Sequence, residues 1–298
     1  MKRPYVTLDV FTEQKFAGNP LAVVFEADGL SDAAMQTIAR EFNLSETVFV
    51  QRPADPARRA DLRIFTPARE LPFAGHPTVG AAVAIALRDG AKGNSDFVLG
   101  EKVGPVPCRV SIASHELGRA QFDLPRLPER AGDAPALAIM ATALRVPESA
   151  IGFGAHQAAL YSAGNPFTMI PIKTRAHVDA AVLDRDAFAK MEQGDAKNAF
   201  FYCAEPNEAG HHFYARMFAP SLGVGEDPAT GSAVAAFAGA IMDFEKPSDG
   251  IHHFGVEQGY RMGRPSQIAL TLHVAGGRLT KASIGGGAIV VMEGALDA

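Results

Sequence analysis

The sequence has few cysteines, no excess of positive charge and no long apolar run. Cys108 and Cys203 are far apart, which is typical of free thiols in a reducing cytosol rather than of a disulfide framework. The net charge of −5 and the lack of a basic stripe argue against a nucleic-acid partner. No apolar stretch reaches the roughly 20 residues of a membrane span, and residues 1–11 do not resemble a signal peptide. We therefore expect a cytoplasmic protein with neither a nucleic-acid nor a membrane partner.

Motifs of common metal and cofactor sites are also missing. No glycine-rich loop completes a dinucleotide fingerprint or a P-loop, and no Gly-x-Ser-x-Gly elbow is present. The adjacent pairs His211–His212 and His252–His253 are poor metal sites, because neighbouring side chains on a strand point to opposite faces. The sequence therefore predicts no bound metal.

Two short phrases occur twice, about half a chain apart. AGNP at residues 17–20 returns at 163–166, an offset of 146 residues, and R-x-F-x-P at 63–67 returns at 216–220, an offset of 153. The simplest account is a duplicated unit of roughly 150 residues, which is an ordinary domain size.

We expect domain limits of 1–127 and 128–298. A final strand at 284–298 could return to complete the first domain.

Two segments are apolar on every face. Residues 78–87 contain no charge before Arg88, and residues 229–242 contain none before Asp243. Helices of this kind are core helices, surrounded by other elements. Because strand-like patterns surround each of them, the sequence predicts an α+β fold. It would consist of two similar domains related by a pseudo-twofold, each a barrel-like sheet wrapped around a central buried helix.

Several connecting elements are also predicted. The strands at 6–11 and 21–25 are expected to be joined through the Gly-Asn-Pro turn. Ser31 or Asp32 would cap the next helix. The Pro-rich and charged segment 124–133 looks like a linker, and a charged helix is expected over 178–191.

Each predicted buried helix is preceded by an acid–base residue and a proline. His76 stands before Pro77, and Asp227 stands before Pro228, so both residues are expected at matching helix starts. Such helix ends expose backbone N–H groups and a partial positive charge, and together in one cleft they would suit a substrate carboxylate. The alternative is a pair of ordinary capped helices.

Two glycines belong to the same hypothesis. Gly80 and Gly231 are expected in the first turns of the two helices, where the absence of a side chain would let a ligand approach the backbone closely.

Glu46 is a candidate acid–base residue. A period of two places it on one face of a strand with Val48, and a carboxylate on an apolar face has a raised pKa that suits general acid–base catalysis. Aligning the halves at Pro53 and Pro206 places Ala199 at the matching position, so the two halves would differ in chemistry. The alternative is a surface glutamate at the start of a strand.

Three further polar residues have both a functional and a structural interpretation. Ser232 could donate a hydrogen bond to substrate, or bond locally to the helix backbone. Asn19 and Asn165 could bind substrate, although stabilising their turns is the favoured interpretation.

The ordered motifs resemble those of the PhzF family, the phenazine-biosynthesis isomerases and their relatives. The similarity runs through residues 10–20, 45–47, 73–78 and 225–233 and reaches Gln258-Gly259 and 263–266. It implies the diaminopimelate-epimerase-like fold and a cofactor-free isomerase, often a homodimer.

The resemblance also assigns roles to residues. The catalytic glutamate of the family falls on Glu46, which would lift a proton from one carbon of the substrate and return it to another. The family's histidine, aspartate and serine fall on His76, Asp227 and Ser232, which would hold and polarise the substrate. The backbones of Gly75 and Gly231 would line a carboxylate pocket.

The expected function is therefore the movement of a proton between carbons of a small carboxylate substrate, with dihydro-hydroxyanthranilate as the family archetype. Two alternatives stay open: a non-catalytic carboxylate-binding protein, and an amino-acid epimerase that does not use thiols. Related amino-acid epimerases use two thiols, and this chain has none at those places.

Overall fold

The computed structural model describes residues 1–192, 198–220 and 224–298. In this part of the chain the strands are β1 (Lys2–Val10), β2 (Asn19–Val24), β3 (Glu46–Gln51), β4 (Ala60–Phe65), β5 (Glu70–Leu71), β6 (Gly93–Glu101), β7 (Gly104–Ile112), β8 (Leu117–Asp123), β9 (Glu129–Asp133), β10 (Ala159–Ser162), β11 (Pro166–Pro171), β12 (Ala199–Cys203), β13 (Phe213–Ala219), β14 (Val224–Asp227), β15 (Gly250–Gln258), β16 (Ser266–Ala275) and β17 (Arg278–Asp297).

The helices are α1 (Asp32–Phe42), α2 (Gly75–Arg88), α3 (Leu137–Leu144), α4 (Arg175–Ala180), α5 (Arg185–Met191) and α6 (Gly231–Phe244). No helix of the described ranges is both long and apolar enough to cross a bilayer.

The chain divides into two compact units. The first comprises Met1–Pro125 with Gly285–Ala298, and the second comprises Arg126–Ile284. The long strand β17 therefore begins in the second unit and ends in the first. The domain limits expected from the sequence stay a prediction.

Eight strands of the first unit form a closed ring. Pairing runs from β1 through β2, β3, β4, β6, β7 and β8 to β17, which pairs again with β1. Helix α2 packs against β1, β2, β3, β7 and β8, and every residue from Gly75 to Ala86 is buried. A helix that is apolar on all sides can be stable only inside such a ring, because no face has to meet water.

The second unit repeats the same pairing pattern. The antiparallel pairs β10–β11, β12–β13 and β15–β16 alternate with the parallel pairs β11–β12 and β13–β15. Helix α6 packs against β9, β10, β11 and β16 and is buried over most of its length. Both central helices have 14 residues. The predicted α+β class, with a barrel-like sheet around a buried helix in each unit, is confirmed.

The remaining helices pack on the outer faces of the sheets. Helix α1 covers Phe49 and Phe65 of the first unit, and Ser31 caps it by accepting from the N–H of Ala34 at 3.2 Å. In the second unit, α3, α4 and α5 bury a separate cluster that includes Phe188 and Phe201. Strands of both units are therefore buried on two faces, which explains why their patterns do not alternate cleanly.

Two predicted connections are wrong, and a third is correct only in part. Asn19 and Pro20 lie in β2, and residues 11–18 connect it to β1, so no Gly-Asn-Pro turn joins the first strand pair. The predicted linker contains the boundary between the units, between Pro125 and Arg126, but its second half is β9, which pairs with β10. The charged helix expected over 178–191 is two helices, because Asp184 ends the intervening segment as the N-cap of α5.

Two glycines of the first unit are explained by close packing. A Cβ on Gly80 would lie 2.5 Å from Cδ2 of Leu21 and 2.8 Å from Cγ2 of Val10, so Gly80 lets α2 approach the sheet. Counted from the helix start at Gly75, it lies in the second turn. The interpretation of Gly80 as a first-turn position for a ligand is therefore wrong.

Gly18 has a φ of +62°, a backbone conformation that favours glycine. A Cβ at this position would lie only 2.3 Å from the carbonyl oxygen of Val10, so a larger residue would not fit.

Candidate functional site

The residue-by-residue correspondence between the starts of α2 and α6 differs from the predicted one. Arg63 pairs with Glu70 in the first unit, and Arg216 pairs with Glu226 in the second at 2.8 Å. These ion pairs align Glu70-Leu71-Pro72-Phe73-Ala74-Gly75-His76 with Glu226-Asp227-Pro228-Ala229-Thr230-Gly231-Ser232, a constant offset of 156 residues. His76 therefore corresponds to Ser232, and the predicted equivalence of His76 and Asp227 is wrong.

Neither His76 nor Asp227 is a helix cap. The N-caps are Ala74 and Thr230, and neither side chain makes a capping hydrogen bond. His76 is the second residue of α2, while Asp227 is the last residue of β14, four residues before α6 begins. The prolines follow these residues without starting the helices, so the assumption that proline occupies the first helical position failed.

In the first unit, Glu46 and His76 come together. Glu46 is the first residue of β3, and its Oε2 lies 3.3 Å from Nε2 of His76 in the first turn of α2. The two side chains are 16% and 6% exposed, respectively. The surface interpretation of Glu46 is therefore wrong, and the carboxyl group is mostly withdrawn from water beside a neutral base.

Burial determines the protonation state of that base. Withdrawal from water lowers the pKa of His76 to about 3, because desolvation disfavours the imidazolium ion. His76 is therefore neutral near pH 7. A neutral imidazole either donates a hydrogen bond to a carboxylate or accepts one from a carboxylic acid, depending on its tautomer.

The counterpart of Glu46 in the second unit is Asn198. Thr47 pairs with Phe65, and Ala199 pairs with Phe218, which is the same position of the repeated R-x-F phrase. Ala199 therefore corresponds to Thr47, and the residue before it corresponds to Glu46. The predicted match of Glu46 with Ala199 is wrong by one position. Asn198 is buried, and its Nδ2 donates to the carbonyl of Pro166 at 3.3 Å.

Asn19 and Asn165 have different settings. Asn19 begins β2 with no exposed surface and pairs with Val10 across the ladder. Asn165 lies in the short connection of the hairpin formed by β10 and β11. The turn interpretation applies to Asn165. Asn19 is instead a buried residue of β2, and the neighbouring strand β3 carries Glu46, which pairs with Leu21 of β2.

In the second unit, a hydrogen-bond network holds the segment before α6. Thr230 donates to Oδ2 of Asp227 at 2.5 Å. Gln258, the last residue of β15, donates to the carbonyl of Asp227 at 2.7 Å and to Oγ1 of Thr230 at 3.0 Å. Its Oε1 accepts from the N–H of Thr230 at 3.1 Å. Asp227 is buried and fixed by this network.

The roles of Thr230 and Gln258 were not recognised from the sequence. Gln258 lies within a family-like motif, but the motif alone predicts no contact for its side chain. The usable signal was its place at the end of a strand that repeats β6, since Glu101 ends β6 at the matching position.

Gly231 and Ser232 lie in the first turn of α6, as the sequence predicts, whereas no helix position was predicted for Gly75. Gly75 and Gly231 are the first residues of α2 and α6, and Ser232 is the second residue of α6 and half-buried. The first N–H groups of a helix have no intrahelical acceptor, so each start presents backbone donors suited to an anion.

The thiols are not available for proton transfer. Cys203 is buried, and burial raises its pKa to about 12. Burial also raises the pKa of Cys108, and the nearby Glu101 adds to that shift. Within residues 1–192, 198–220 and 224–298, no three His, Cys, Asp or Glu side chains gather in a way that could hold a metal ion.

The structure thus brings Glu46, His76 and Gly75 together in the first unit, and Asp227, Gly231 and Ser232 together on one segment of the second. The expectation that both helix starts serve one cleft stays a prediction.

The similarity to known proteins extends over nearly the whole chain. Residues 8–294 match the family described as "PhzC-PhzF: Phenazine biosynthesis-like protein". An uncharacterized isomerase from Mesorhizobium japonicum is 47% identical over 99% of this chain and 98% of its own length. The trans-2,3-dihydro-3-hydroxyanthranilate isomerase of Pseudomonas aeruginosa is 33% identical over 97% of this chain and 98% of its own length.

A solved structure supports the same relationship at the level of the fold. The PhzF family phenazine biosynthesis protein of Bacillus anthracis superposes with a TM-score of 0.90, covering 100% of both chains at 22% identity.

Proposed function

Because this chain belongs to the PhzC/PhzF phenazine biosynthesis-like family and is an isomerase, we propose that it moves a proton between two carbons of a small carboxylate substrate, with Glu46 as the single acid–base group. The observation that carries the proposal is the largely withdrawn carboxyl group of Glu46, 16% exposed, beside a neutral His76 in the first turn of α2. Membership in a family of isomerases also removes the alternative of a non-catalytic binder.

Glu46 would act first as a base and then as an acid. As a carboxylate, it removes the proton from one carbon, and as the resulting carboxylic acid it returns a proton to another carbon. His76 suits this cycle because its neutral ring adds no positive charge that would hold Glu46 in the carboxylate form, so the carboxyl group can pass between its two protonation states. The low exposure of both side chains keeps competing water away from the proton.

Asp227 and Ser232 would hold the substrate in the same reaction. Asp227 is fixed by Thr230 and Gln258, so its carboxylate has little freedom and can accept from a substrate hydroxyl or amino group. The helix starts at Gly75 and Gly231 supply backbone N–H donors for a substrate carboxylate. We expect no cofactor to be needed, since these groups supply both the base and the anion-binding donors.

The substrate class follows from the relative that is named by its reaction. A trans-2,3-dihydro-3-hydroxyanthranilate isomerase is 33% identical over nearly the whole chain, which makes that carboxylate the first compound to test. Both thiols are buried and have raised pKa values, which argues against a two-thiol epimerase, so the alternative that stays open is an amino-acid epimerase that does not use thiols.

The test is turnover of trans-2,3-dihydro-3-hydroxyanthranilate and a panel of related hydroxy and amino carboxylates by purified protein, followed by proton NMR. We expect wild-type protein to convert at least one of these compounds, and Glu46→Gln to lose about 10²–10⁴-fold in kcat, as is typical for the loss of an essential acid–base group.

Glu116→Gln is the matched control, since Glu116 is a partly exposed glutamate paired with Lys15 on the surface. It should retain wild-type turnover. Equal turnover by Glu46→Gln and wild type would remove Glu46 from the mechanism, while exchange at the α-carbon of an amino acid would favour an epimerase.

The homodimer and the cytoplasmic location expected from the sequence are also proposals. Sedimentation equilibrium of the purified protein tests the first, and fractionation of the source cells tests the second.

A further inference from the structure

A second buried glutamate of the first unit has no part in the proposed proton transfer. Glu101 ends β6 and is 8% exposed, and its Oε1 lies 2.7 Å from Oγ1 of Thr78 on α2. Its other oxygen, Oε2, is fully buried and has no hydrogen-bond partner in the described part of the chain. No cation pairs with Glu101 there, although an ionised buried carboxylate needs one or several donors.

The hydrogen bonds of Thr78 indicate which group carries the proton. Oγ1 of Thr78 lies 2.8 Å from the carbonyl oxygen of Ala74 and 2.7 Å from Glu101, but a hydroxyl group has one hydrogen. A carbonyl can only accept. Both contacts are full hydrogen bonds only if Thr78 donates to Ala74 and a protonated Glu101 donates to Thr78.

The second unit supports this assignment with an uncharged residue. Leu99 pairs with Ala60, and Val256 pairs with Phe213 at the matching rung, so Glu101 corresponds to Gln258. Gln258 also holds the segment that leads into a central helix, through Thr230 and the carbonyl of Asp227. A neutral amide and a neutral carboxylic acid have similar shapes, and each can donate and accept.

A contrasting glutamate shows what a buried carboxylate looks like in this protein. Glu257 has no exposed surface, and its two oxygens accept from the N–H and side-chain amide of Asn207, the N–H of Glu208 and a ring nitrogen of His211, at 2.7 to 3.1 Å. Glu101 has none of these donors.

We propose that Glu101 is a positioning residue held as a neutral carboxylic acid, which fixes Thr78 and Ala74 and thereby the helix start that carries Gly75 and His76. The proposal deepens the proposed function and rests on it for the role of His76. It predicts that ionisation of Glu101 removes the hydrogen bond that Glu101 donates to Thr78.

The surroundings of Glu101 favour the neutral form. Burial raises the pKa of Glu101 to about 8, partly offset by the contact with Thr78. Cys108 on β7 lies near Glu101, and burial raises the pKa of its thiol, which is therefore neutral. His76 on α2 is neutral as well. Arg58 and Asp61 pair with each other beside Gly100, Lys102 pairs with Glu70, and Arg109 on β7 pairs with Asp123, so each of these described cations has an anionic partner other than Glu101.

The experiment compares wild type with Glu101→Gln, which can donate to Thr78 at every pH. An acid whose pKa rises from 4.5 to about 8 on folding loses its stabilising protonation as pH rises towards 8. The folding equilibrium constant of wild type should therefore fall by up to about 50-fold more than that of Glu101→Gln from pH 6 to pH 8, as measured by urea unfolding.

Activity provides the second readout. With any substrate that turns over, kcat of wild type should fall as pH rises above about 8, while Glu101→Gln keeps its kcat, and Glu101→Ala loses activity at all pH values. A carboxylic acid stretch in the infrared spectrum near pH 7 should be present in wild type and missing from Glu101→Gln.

The proposal is overturned if wild type and Glu101→Gln show the same pH slope of stability, or if Glu101→Gln is as inactive as Glu101→Ala. The stability and infrared measurements need no substrate. A failure of the proposed function, seen as full turnover by Glu46→Gln, is therefore distinguishable from a failure of this inference.

Discussion

Arg216 offers the sharpest test of how the second unit holds Asp227. Its guanidinium group is 8% exposed and bonds both oxygens of Glu226 at 2.8 and 2.9 Å. The same group donates to the carbonyls of Val178 and Ala181, both at 2.8 Å, at the end of α4. Glu226 immediately precedes Asp227, so the ion pair connects that aspartate to the outer helix cluster. The proposed perturbation is Arg216→Met.

The expected cost follows from the contacts that are lost. Removing one partner of a buried ion pair typically costs about 3–5 kcal/mol, because the other charge stays buried. The carbonyl of Val178 keeps the N–H of Ala181 as a donor, whereas the carbonyl of Ala181 loses the guanidinium group, which adds about 1–3 kcal/mol when no water replaces it, although such values do not simply add. We therefore expect Arg216→Met to lower the free energy of unfolding by about 4 kcal/mol.

Arg63 is the matched control, since it occupies the same position of the repeated phrase. Its side chain is 21% exposed, and its partner Glu70 keeps a second cation, Lys102, when Arg63 is removed. Arg63→Met should therefore cost only about 1 kcal/mol, as expected of a partly exposed pair. Urea unfolding at pH 7, followed by circular dichroism, measures both variants.

A double variant separates the effect of the unpaired charge on Glu226 from the effect of the lost packing. Arg216→Met with Glu226→Gln removes both charges and should recover at least about 1 kcal/mol relative to Arg216→Met alone. Equal destabilisation by Arg216→Met and Arg63→Met, or no recovery in the double variant, would refute the account of this ion pair.

Two further predictions concern His76 and the thiols. Because burial lowers the pKa of His76 from 6.5 to about 3, its contribution to stability is present above pH 6.5 and is lost as pH falls towards 3. The free energy of unfolding should therefore rise with pH between 4.5 and 6.5 more steeply in wild type than in His76→Gln, and the two slopes should differ by up to about 1.4 kcal/mol per pH unit. Parallel slopes in urea unfolding would contradict this. Burial raises the pKa of Cys203 to about 12, so its thiol should not react in the native protein. Iodoacetamide at pH 8 should therefore leave native activity intact and modify both cysteines only in denaturant, as measured by mass spectrometry. Loss of activity on labelling native protein would indicate a catalytic thiol.

The central helices were predictable because their signal is local. Residues 78–87 and 229–242 are apolar on every face, and only a helix enclosed by other elements tolerates that composition. The low exposure of Glu46 was predictable for a similar reason, because a period of two places it on the same face of its strand as the buried Val48.

The correspondence between the halves was less predictable, because it depends on loops of unequal length. Thr47 and Ala199 differ by 152 residues, whereas Phe65 and Phe218 differ by 153, so the second connection contains one additional residue. Alignment at the prolines of those connections therefore shifted Asn198 out of its place. The pairing of His76 with Asp227 failed in the same way, since proline marks a turn without fixing where the following helix begins.

The hydrogen-bond networks at the helix starts could not be predicted at all. Glu101 and Gln258 are far in sequence from the segments that they hold, and only the parallel pairing of β4 with β6 and of β13 with β15 brings each of them to a helix start. No local pattern of residues encodes that contact.

The most direct test of the central claim follows a single deuterium atom. Substrate labelled at the carbon that loses its proton is converted by excess enzyme in ordinary water, and the product is analysed by NMR before solvent exchange is complete. A single Glu46 carboxyl group that removes and returns the proton predicts that part of the deuterium appears at the new carbon of the product. Complete loss of the label to solvent in a single turnover would contradict this account, in which the low exposure of Glu46 and His76 keeps the transferred atom on Glu46 between the two steps.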